Sequence, residues 1–342
     1  MCARFARVML SILPALVPGI APAALAYGAT PSAHRSRSAV LLAKPLRARE
    51  IKQKLEAAGV STAGIVEKEE LLRLLESLPD AAADDAAAVA TLPLSLDGGC
   101  AYADVRDARG TVRLLVDSGA SYSLVAGSAA FRKLNVVAGA AETLALRDSG
   151  GVEIDVRVEQ VGLPPGVDGI LGIDVLRGFA AAELDCTAAE LRLHRAPYTA
   201  ADGVALPMEL RRVSAGQLPL ITMKFGDVDC GLVLVDTGSP VTMVTPELAE
   251  AARMMPDDPD ADIITTGVDG QPTRMAATRC ARAALGAVVV DDVRVFAGVP
   301  PMMTRVGWGG ERAALLGLDL LLGGGAGRTV VLDFVREELR LR

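Results

Sequence analysis

The chain has 342 residues, 51% of them hydrophobic, a size that fits two domains or one internally duplicated unit with a sizeable core. Only two residues are histidine, which all but excludes a Ser-His-Asp triad, a Cys-His dyad and a His-rich zinc site. The 42 acidic residues outnumber the 35 basic residues, so proton transfer in any hydrolytic reaction would fall to carboxylates.

Charge is unevenly distributed along the chain. Seven of the 35 basic residues and none of the 42 acidic residues lie in residues 1–49. The remainder therefore has 28 basic against 42 acidic residues, a net charge of −14. Such an acidic body argues against a main domain that binds nucleic acid or an anionic membrane surface.

The N-terminal residues have the pattern of a targeting leader. Arg4 and Arg7 precede an apolar run over residues 8–26, which ends in an A-x-A-type cleavage pattern. Prolines recur within the run and each removes a helix donor, which favours a cleaved leader over a retained anchor. We predict a leader over residues 1–44, directed to the secretory pathway or to a plastid, with no stable membrane insertion after cleavage.

Cysteine usage leaves two interpretations open. Cleavage of the leader removes Cys2, and the remaining cysteines are Cys100, Cys186, Cys230 and Cys280. An even number is compatible with one or two disulfides in a secretory compartment, and also with four small buried thiols. None of them forms a C-x-x-C pair, so we expect no metal binding by cysteine.

Residues 45–78 predict a small helical module. Ile51, Leu55 and Ala58 recur at helical spacing before Gly59, and a leucine-rich stripe marks a second helix. The pattern LxxxGVSxxGIVEKEELLxLLE resembles the SAP-like helix-extended-helix module. The acids in its second half favour a protein partner over nucleic acid. The Ala/Asp-rich residues 79–91 are predicted to be a linker.

The rest of the chain contains an internal repeat. Asp117 and Asp236 lie 119 positions apart, each in an Asp-(Ser/Thr)-Gly tripeptide that follows an apolar, strand-like run. Two further landmarks recur in the same order: DGILGIDVL (168–176) with ALLGLDLLL (313–321), and ELDCTAAELRL (183–193) with VLDFVREELRL (331–341). We therefore predict two duplicated lobes, residues 92–200 and 201–342.

These landmarks resemble the retropepsin-like aspartic peptidases, and the resemblance covers residues 92–342. An apolar strand, Asp-(Ser/Thr)-Gly and a later Ile-Leu-Gly or Leu-Leu-Gly occur in each lobe. The resemblance implies an all-β fold of two acid-protease barrel lobes, paired within one chain as in pepsins. It also implies an aspartic endopeptidase that cleaves a polypeptide substrate. No cofactor and no metal ion is expected, and we expect a monomer.

The chemistry of two aspartates supports this interpretation independently. Two carboxylates about 3 Å apart share one proton, because both cannot ionise at that distance. The ionised one accepts a proton from a water molecule, and the protonated one donates to the carbonyl oxygen under attack. We predict Asp117 and Asp236 to be the catalytic dyad.

Other residues of the two loops are predicted to support the dyad. They are Ser118, Gly119, Thr237, Gly238 and Ser239. The glycines allow a close approach of the two loops. By resemblance, the hydroxyl groups of the Ser and Thr that follow the aspartates bond across the lobe interface.

The two loops are not equivalent in sequence. Three residues after the aspartate the first loop has Ala120, as in retropepsins, and the second has Ser239, as in pepsins, where its hydroxyl supports a carboxylate. Because loss of such a bond raises a carboxyl pKa, we expect activity at mildly acidic to near-neutral pH. Pro240 follows where the family more often has a small polar residue, and we expect it to distort the second loop.

Two segments with hairpin patterns are candidate flaps. Residues 143–161 and 263–279 alternate apolar and polar residues around Asp/Gly turns.

His194 ends a strand-like segment and is expected at the surface.

The alternative function is that of a non-catalytic peptide-binding or scaffold protein that retains the aspartic-protease fold.

Overall fold

The computed structural model describes residues 7–9 and 88–342, except 138, 140, 146–151, 201, 202, 214, 215, 267–271 and 324–328. The predicted helical module at 45–78 lies outside the described residues. So do residues 79–87 of the predicted linker and all of the predicted leader except residues 7–9.

The first lobe is built from nine strands in the part of the chain that the structure describes. They are β2 (Ala88–Asp97), β3 (Cys100–Arg106), β4 (Thr111–Asp117), β5 (Leu124–Ala126), β6 (Ala141–Ala145), β7 (Glu153–Glu159), β8 (Gly169–Gly172), β9 (Ala181–Asp185) and β10 (Glu190–His194). A short strand, β1 (Arg7–Met9), pairs in parallel with residues 264–266 of the second lobe. Strand β2 begins at Ala88, within the segment predicted to be a linker. Ala90, Leu92 and Leu94 of β2 are buried and alternate with less buried residues, so this Ala-rich stretch has the period of a half-buried strand.

The second lobe contributes the remaining strands. They are β11 (Val204–Pro207), β12 (Glu209–Val213), β13 (Gly216–Phe225), β14 (Val228–Val235), β15 (Met243–Val244), β16 (Met255–Pro256), β17 (Ile263–Thr266), β18 (Pro272–Leu285), β19 (Val288–Ala297), β20 (Ala313–Leu316), β21 (Thr329–Asp333) and β22 (Glu338–Leu341). The fold is all-β, as predicted from the sequence.

Helices are short throughout the described ranges. They are α1 (Gly127–Ala129, continued as one π turn over Ala130–Leu134), α2 (Ile173–Leu176), α3 (Pro246–Ala251), a 3-10 turn (Pro259–Ala261), α4 (Pro301–Arg305) and α5 (Leu318–Leu321). In this part of the chain no helix is long and apolar enough to cross a membrane.

The strand pairings repeat from one lobe to the other. In the first lobe β4 pairs in parallel with β8, β8 pairs antiparallel with β5, and β5 pairs in parallel with β7. In the second lobe β14, β20, β15 and β19 pair in the same order and with the same directions. The sequence repeat is therefore a repeat of topology, and it places the two aspartate loops at equivalent ends of β4 and β14.

A single sheet joins the two lobes. The closing hairpin of the first lobe, β9–β10, and that of the second, β21–β22, lie side by side, because β9 pairs antiparallel with β21. All five residues of β21 are buried, as expected for a strand covered on both faces. The landmarks ELDCTAAELRL and VLDFVREELRL are these two hairpins, so the repeat unit ends where the lobes meet.

His194 is buried, and the expectation of a surface position was wrong. Its ring is 5% exposed, and its Nε2 lies 2.9 Å from Oε2 of Glu183 on the neighbouring strand β9. Oε1 of Glu183 also accepts a hydrogen bond from Arg192 at 3.2 Å, and Nη1 of Arg342 lies 3.6 Å from the same oxygen. This charged cluster lies in the sheet that joins the lobes. A neighbouring buried carboxylate explains why a polar ring is placed there.

Candidate active site

The fold brings the two predicted aspartates together. Asp117 is the last residue of β4 and Asp236 directly follows β14, and both side chains are fully buried. The two carboxyl groups are within hydrogen-bonding reach of each other across the lobe interface. Residues 119 positions apart in the sequence thus form one pair of carboxyl groups, as the dyad prediction requires.

Each aspartate is held by its own loop in the same way. Oδ1 of Asp117 accepts from the backbone N–H of Gly119 at 2.9 Å and from that of Ala120 at 2.9 Å. Oδ1 of Asp236 accepts from the N–H of Gly238 at 2.9 Å, and the N–H of Ser239 also favours the charged form of this carboxyl. These bonds fix the direction in which each carboxyl group points.

The residues after the aspartates lock the loops to each other. Ser118 N–H donates to Oγ1 of Thr237 at 3.0 Å, and Thr237 N–H donates to Oγ of Ser118 at 3.1 Å. Each hydroxyl group then donates to a backbone carbonyl oxygen of the opposite lobe: Ser118 to Val235 at 2.6 Å and Thr237 to Val116 at 2.8 Å. The structure therefore contains the reciprocal cross-lobe bonds that the resemblance implied.

Glycine at positions 119 and 238 is required by the close approach of the loops. A Cβ on Gly119 would stand 2.6 Å from Cγ of Asp236. A Cβ on Gly238 would stand 2.6 Å from Oδ2 of Asp117. Both distances are far below a normal carbon contact, so any side chain here would push the carboxyl groups apart.

Two expectations about the second loop were wrong. The Ser239 hydroxyl donates to the carbonyl oxygen of Val241 at 2.7 Å, so it closes its own turn and does not support a carboxylate. Pro240 does not distort the loop. Ser239 N–H reaches the Asp236 carbonyl oxygen at 3.3 Å, and the matching bond of the first loop is 3.2 Å.

Burial sets the protonation of the pair. Removal from water raises the pKa of Asp236 well above its usual value, and the neighbouring charge of Asp117 raises it further. The N–H donors of Gly238 and Ser239 oppose this shift only in part. The pair therefore keeps one proton at pH values at which an exposed aspartate has lost its own, and it titrates as a unit.

A second pair of aspartates supports the loops, and the sequence analysis did not identify it. Asp174 accepts from the N–H and the hydroxyl of Ser123 at 3.0 and 2.7 Å. In the second lobe Asp319 accepts from the N–H and the hydroxyl of Thr242 at 2.9 and 2.7 Å. Ser123 and Thr242 each lie six residues after a dyad aspartate, so the repeat itself contained the signal.

The described cysteines are free thiols. Cys100, Cys230 and Cys280 are buried, and Cys186 is half-buried. Of the two interpretations left open by the sequence, the structure agrees with four unpaired thiols. Among the described residues no group of three or more His, Cys, Asp or Glu side chains is placed to hold a metal ion.

Both candidate flaps contain paired strands. β6 and β7 form one antiparallel ladder and β17 and β18 form the other, as the alternating patterns predicted. Their tips, residues 146–151 and 267–271, lie outside the described residues.

A family model described as aspartyl protease matches residues 221–320, which include Asp236 and Asp319. This part of the chain is therefore similar to the aspartyl protease family. No curated protein sequence matches the chain.

Solved structures that the chain matches include basic 7S globulin from soybean and conglutin gamma, a basic 7S globulin from lupine seeds. The soybean protein is 13% identical with a TM-score of 0.41, and the match covers 73% of this chain and 95% of that one. The lupine protein is 13% identical with a TM-score of 0.40, and the match covers 74% and 94% of the two chains.

Proposed function

We propose that the chain is an aspartic endopeptidase that hydrolyses peptide bonds with a water molecule activated by Asp117 and Asp236. One observation carries the proposal. Two fully buried carboxyl groups, one from each lobe, contact each other and are held by matching backbone hydrogen bonds. Burying two like charges side by side is costly, and a functional pair that shares one proton explains why both are present.

The geometry supports general acid–base catalysis by one pair. The ionised carboxylate removes a proton from water as the water oxygen bonds to the peptide carbon, and the protonated carboxyl donates its proton to the carbonyl oxygen. The C–N bond of the resulting tetrahedral diol then breaks, and the leaving nitrogen takes the proton that the base accepted. One hydroxyl group of the diol returns its proton to the other carboxylate as the new carboxyl group forms. The pair returns to one proton, so neither histidine nor a metal ion is needed.

Cleavage of a peptide library across pH 3–8 tests the proposal. Asp117→Asn should lower kcat by about a thousandfold or more, because it removes one member of the pair while keeping its size. Asp229→Asn is the control, since its side chain is 79% exposed and pairs with Lys224 on the surface. We expect this variant to cleave as the unmodified chain does.

Two results would contradict the proposal. Equal cleavage by the unmodified chain and Asp117→Asn would place the reaction elsewhere. Binding of library peptides without cleavage by either protein would favour the non-catalytic peptide-binding alternative. A pH–rate profile confined below about pH 4 would contradict the raised pKa of the pair.

A further inference from the structure

The β2–β3 hairpin of the first lobe contacts the catalytic loop of the second lobe. At its tip, a Cβ on Gly99 would stand only 2.9 Å from Cβ of Pro240. The next residue, Cys100, is buried, and its Sγ lies 3.7 Å from the carbonyl oxygen of Gly238. The hairpin thus touches the loop on two consecutive residues.

Cys100 is one link in a chain of hydrogen bonds that ends at the dyad. The thiol of Cys100 donates to the Gly238 carbonyl oxygen. The N–H of Gly238 in turn donates to Oδ1 of Asp236 at 2.9 Å. Gly238 is therefore held by the first lobe and itself holds a catalytic carboxyl group.

The thiol stays in its donor form over the range in which the dyad titrates. Burial raises the pKa of Cys100 to about 11; the Tyr102 hydrogen bond opposes this shift, and the charges of Asp236 and Asp117 add to it. An S–H group is a weak donor, but it is a persistent one here because no competing water reaches a buried atom.

The second lobe does not repeat this arrangement. In the corresponding hairpin of the second lobe, Gly216 lies beside Ser121. A Cβ on Gly216 would stand 3.1 Å from Cβ of Ser121. The next side chain, Gln217, accepts from Arg177 at 2.6 Å and does not bond to the Asp117 loop in the described structure. In the described structure the thiol contact therefore supports the loop of Asp236 and has no counterpart at the loop of Asp117.

We propose that Cys100 is a positioning residue that holds the Gly238 segment so that its N–H stays directed at Asp236. This inference rests on the proposed function and specifies how one carboxyl group of the pair is kept in place. Cys100 acts through Gly238 and does not touch the reacting atoms.

Kinetics of Cys100→Ala test the inference. We expect kcat to fall about three- to tenfold with little change in KM, the effect of one ordinary hydrogen bond that is felt in the transition state. A weaker Gly238 bond to the charged form of Asp236 should also move the limbs of the pH–rate profile to higher pH. Cys100→Ser keeps a hydrogen-bond donor, so its kcat and its pH–rate profile should be close to those of the unmodified chain.

Cys230→Ala is the matched control. Cys230 is also a buried thiol of similar size, and it donates to the carbonyl oxygen of Arg312 at 3.2 Å in another part of the second lobe. This variant should lose thermal stability and keep the kcat and the pH profile of the unmodified chain. If Cys100→Ala fails to fold, Cys100→Val is measured instead, because it fills the space of the thiol without a donor, and the same direction of effect is expected.

Carboxyl ¹³C NMR titration supplies a readout that needs no turnover. The pair should titrate at higher pH in Cys100→Ala than in the unmodified chain. Unchanged kcat, pH profile and titration in Cys100→Ala would overturn the positioning role. An unmodified chain that cleaves nothing would overturn the proposed function, and the titration would still decide the role of Cys100.

Discussion

At the scale of single residues, the protonation of Asp236 has a consequence for stability. Its folded-state pKa is raised by burial and by Asp117, above a value of 3.8 for an exposed aspartate. A carboxyl of this kind favours the folded state fully below pH 4, and that contribution is lost as the pH rises through the raised pKa. The dyad therefore destabilises the fold near neutral pH.

Asp236→Asn should consequently stabilise the protein, and more so at pH 7 than at pH 4. The amide keeps the shape of the side chain and carries no charge to desolvate. We expect Tm to rise by a few degrees at pH 7, with a smaller gain at pH 4, measured by thermal unfolding. Asp229→Asn, on the exposed ion pair with Lys224, should change Tm little at either pH. An equal gain for Asp236→Asn at both pH values would contradict the raised pKa.

The proximity of Asp117 and Asp236 could be predicted because its sequence signal is local and occurs twice. Asp-Ser-Gly and Asp-Thr-Gly each follow an apolar strand, and the cross-lobe bonds of Ser118 and Thr237 follow once the loops meet. The partner of Ser239 could not be predicted in this way. Its hydroxyl group can donate to a carboxylate or to the Val241 carbonyl oxygen, and only the folded geometry of the loop decides which of the two accepts the hydrogen bond.

At the scale of elements, two short helices hold the catalytic loops. Helices α2 and α5 begin after Gly172 and Gly317, and their first turns contain Asp174 and Asp319. Each of these aspartates binds the Ser or Thr that lies six residues after a dyad residue, and that hydroxyl group accepts from the glycine N–H. The repeated Gly-x-Asp sequence thus ties the end of each loop to the start of a helix.

Thr242→Val tests this arrangement. The substitution removes a hydroxyl group from a fully buried position and leaves Asp319 and the Gly317 N–H each without one partner. We expect a loss of about 1–3 kcal/mol in the free energy of unfolding and a fall in kcat as the Asp236 loop loosens. Denaturant unfolding and steady-state kinetics measure the two effects.

Thr245→Val is the matched control for that variant. Thr245 is also fully buried, donates to the Glu311 carbonyl oxygen at 2.6 Å and accepts from the Ala313 N–H at 3.1 Å. It lies outside the catalytic loop, so a similar loss of stability should come without a fall in kcat. Equal kinetic effects of the two variants would show that Thr242 has no special link to the dyad.

Element boundaries were harder to predict than element types. The hairpins β6–β7 and β17–β18 follow from alternation of apolar and polar residues. The extent of β2 was not predicted. The strand begins at Ala88, inside the segment interpreted as a linker, because an Ala-rich stretch with few β-branched residues gives a weak strand signal. The roles of Asp174 and Asp319 could not be predicted, because each accepts from a Ser or Thr that lies about 50 to 80 residues earlier in the sequence.

At the scale of the whole molecule, the charged cluster around Glu183 joins the lobes. His194 ends β10, Arg342 directly follows the equivalent strand β22, and both reach the same carboxylate. Burial alone would raise the pKa of Glu183, but the His194 hydrogen bond and the charges of His194, Arg192 and Arg342 outweigh it and lower this pKa. The position of His194 could not be predicted, because Arg342 lies 148 residues away in the sequence.

Glu183→Gln should destabilise the protein by about 1–3 kcal/mol at pH 7, because two cationic side chains lose a buried partner. A lowered carboxyl pKa stabilises the fold above the unfolded-state value of 4.5 and loses that contribution as the pH falls through the lowered pKa. The difference between variant and unmodified chain should therefore shrink below about pH 4. Glu190→Gln removes a more exposed partner of Arg192 and should cost about 0–1 kcal/mol. Equal losses in the two variants would contradict a special role of the buried carboxylate.

The sheet shared by the two lobes also constrains how the chain folds. Glu183 of β9 is opposite Val331 of β21, 148 residues later. Until that partner strand arrives, β9 presents an open edge that another copy of the chain could extend. Closing so long a loop is slow, because its entropy is lost before the contacts form. The rate-limiting step of refolding should therefore be the pairing of β9 with β21. The competing reaction is domain swapping, in which two chains exchange their closing hairpins.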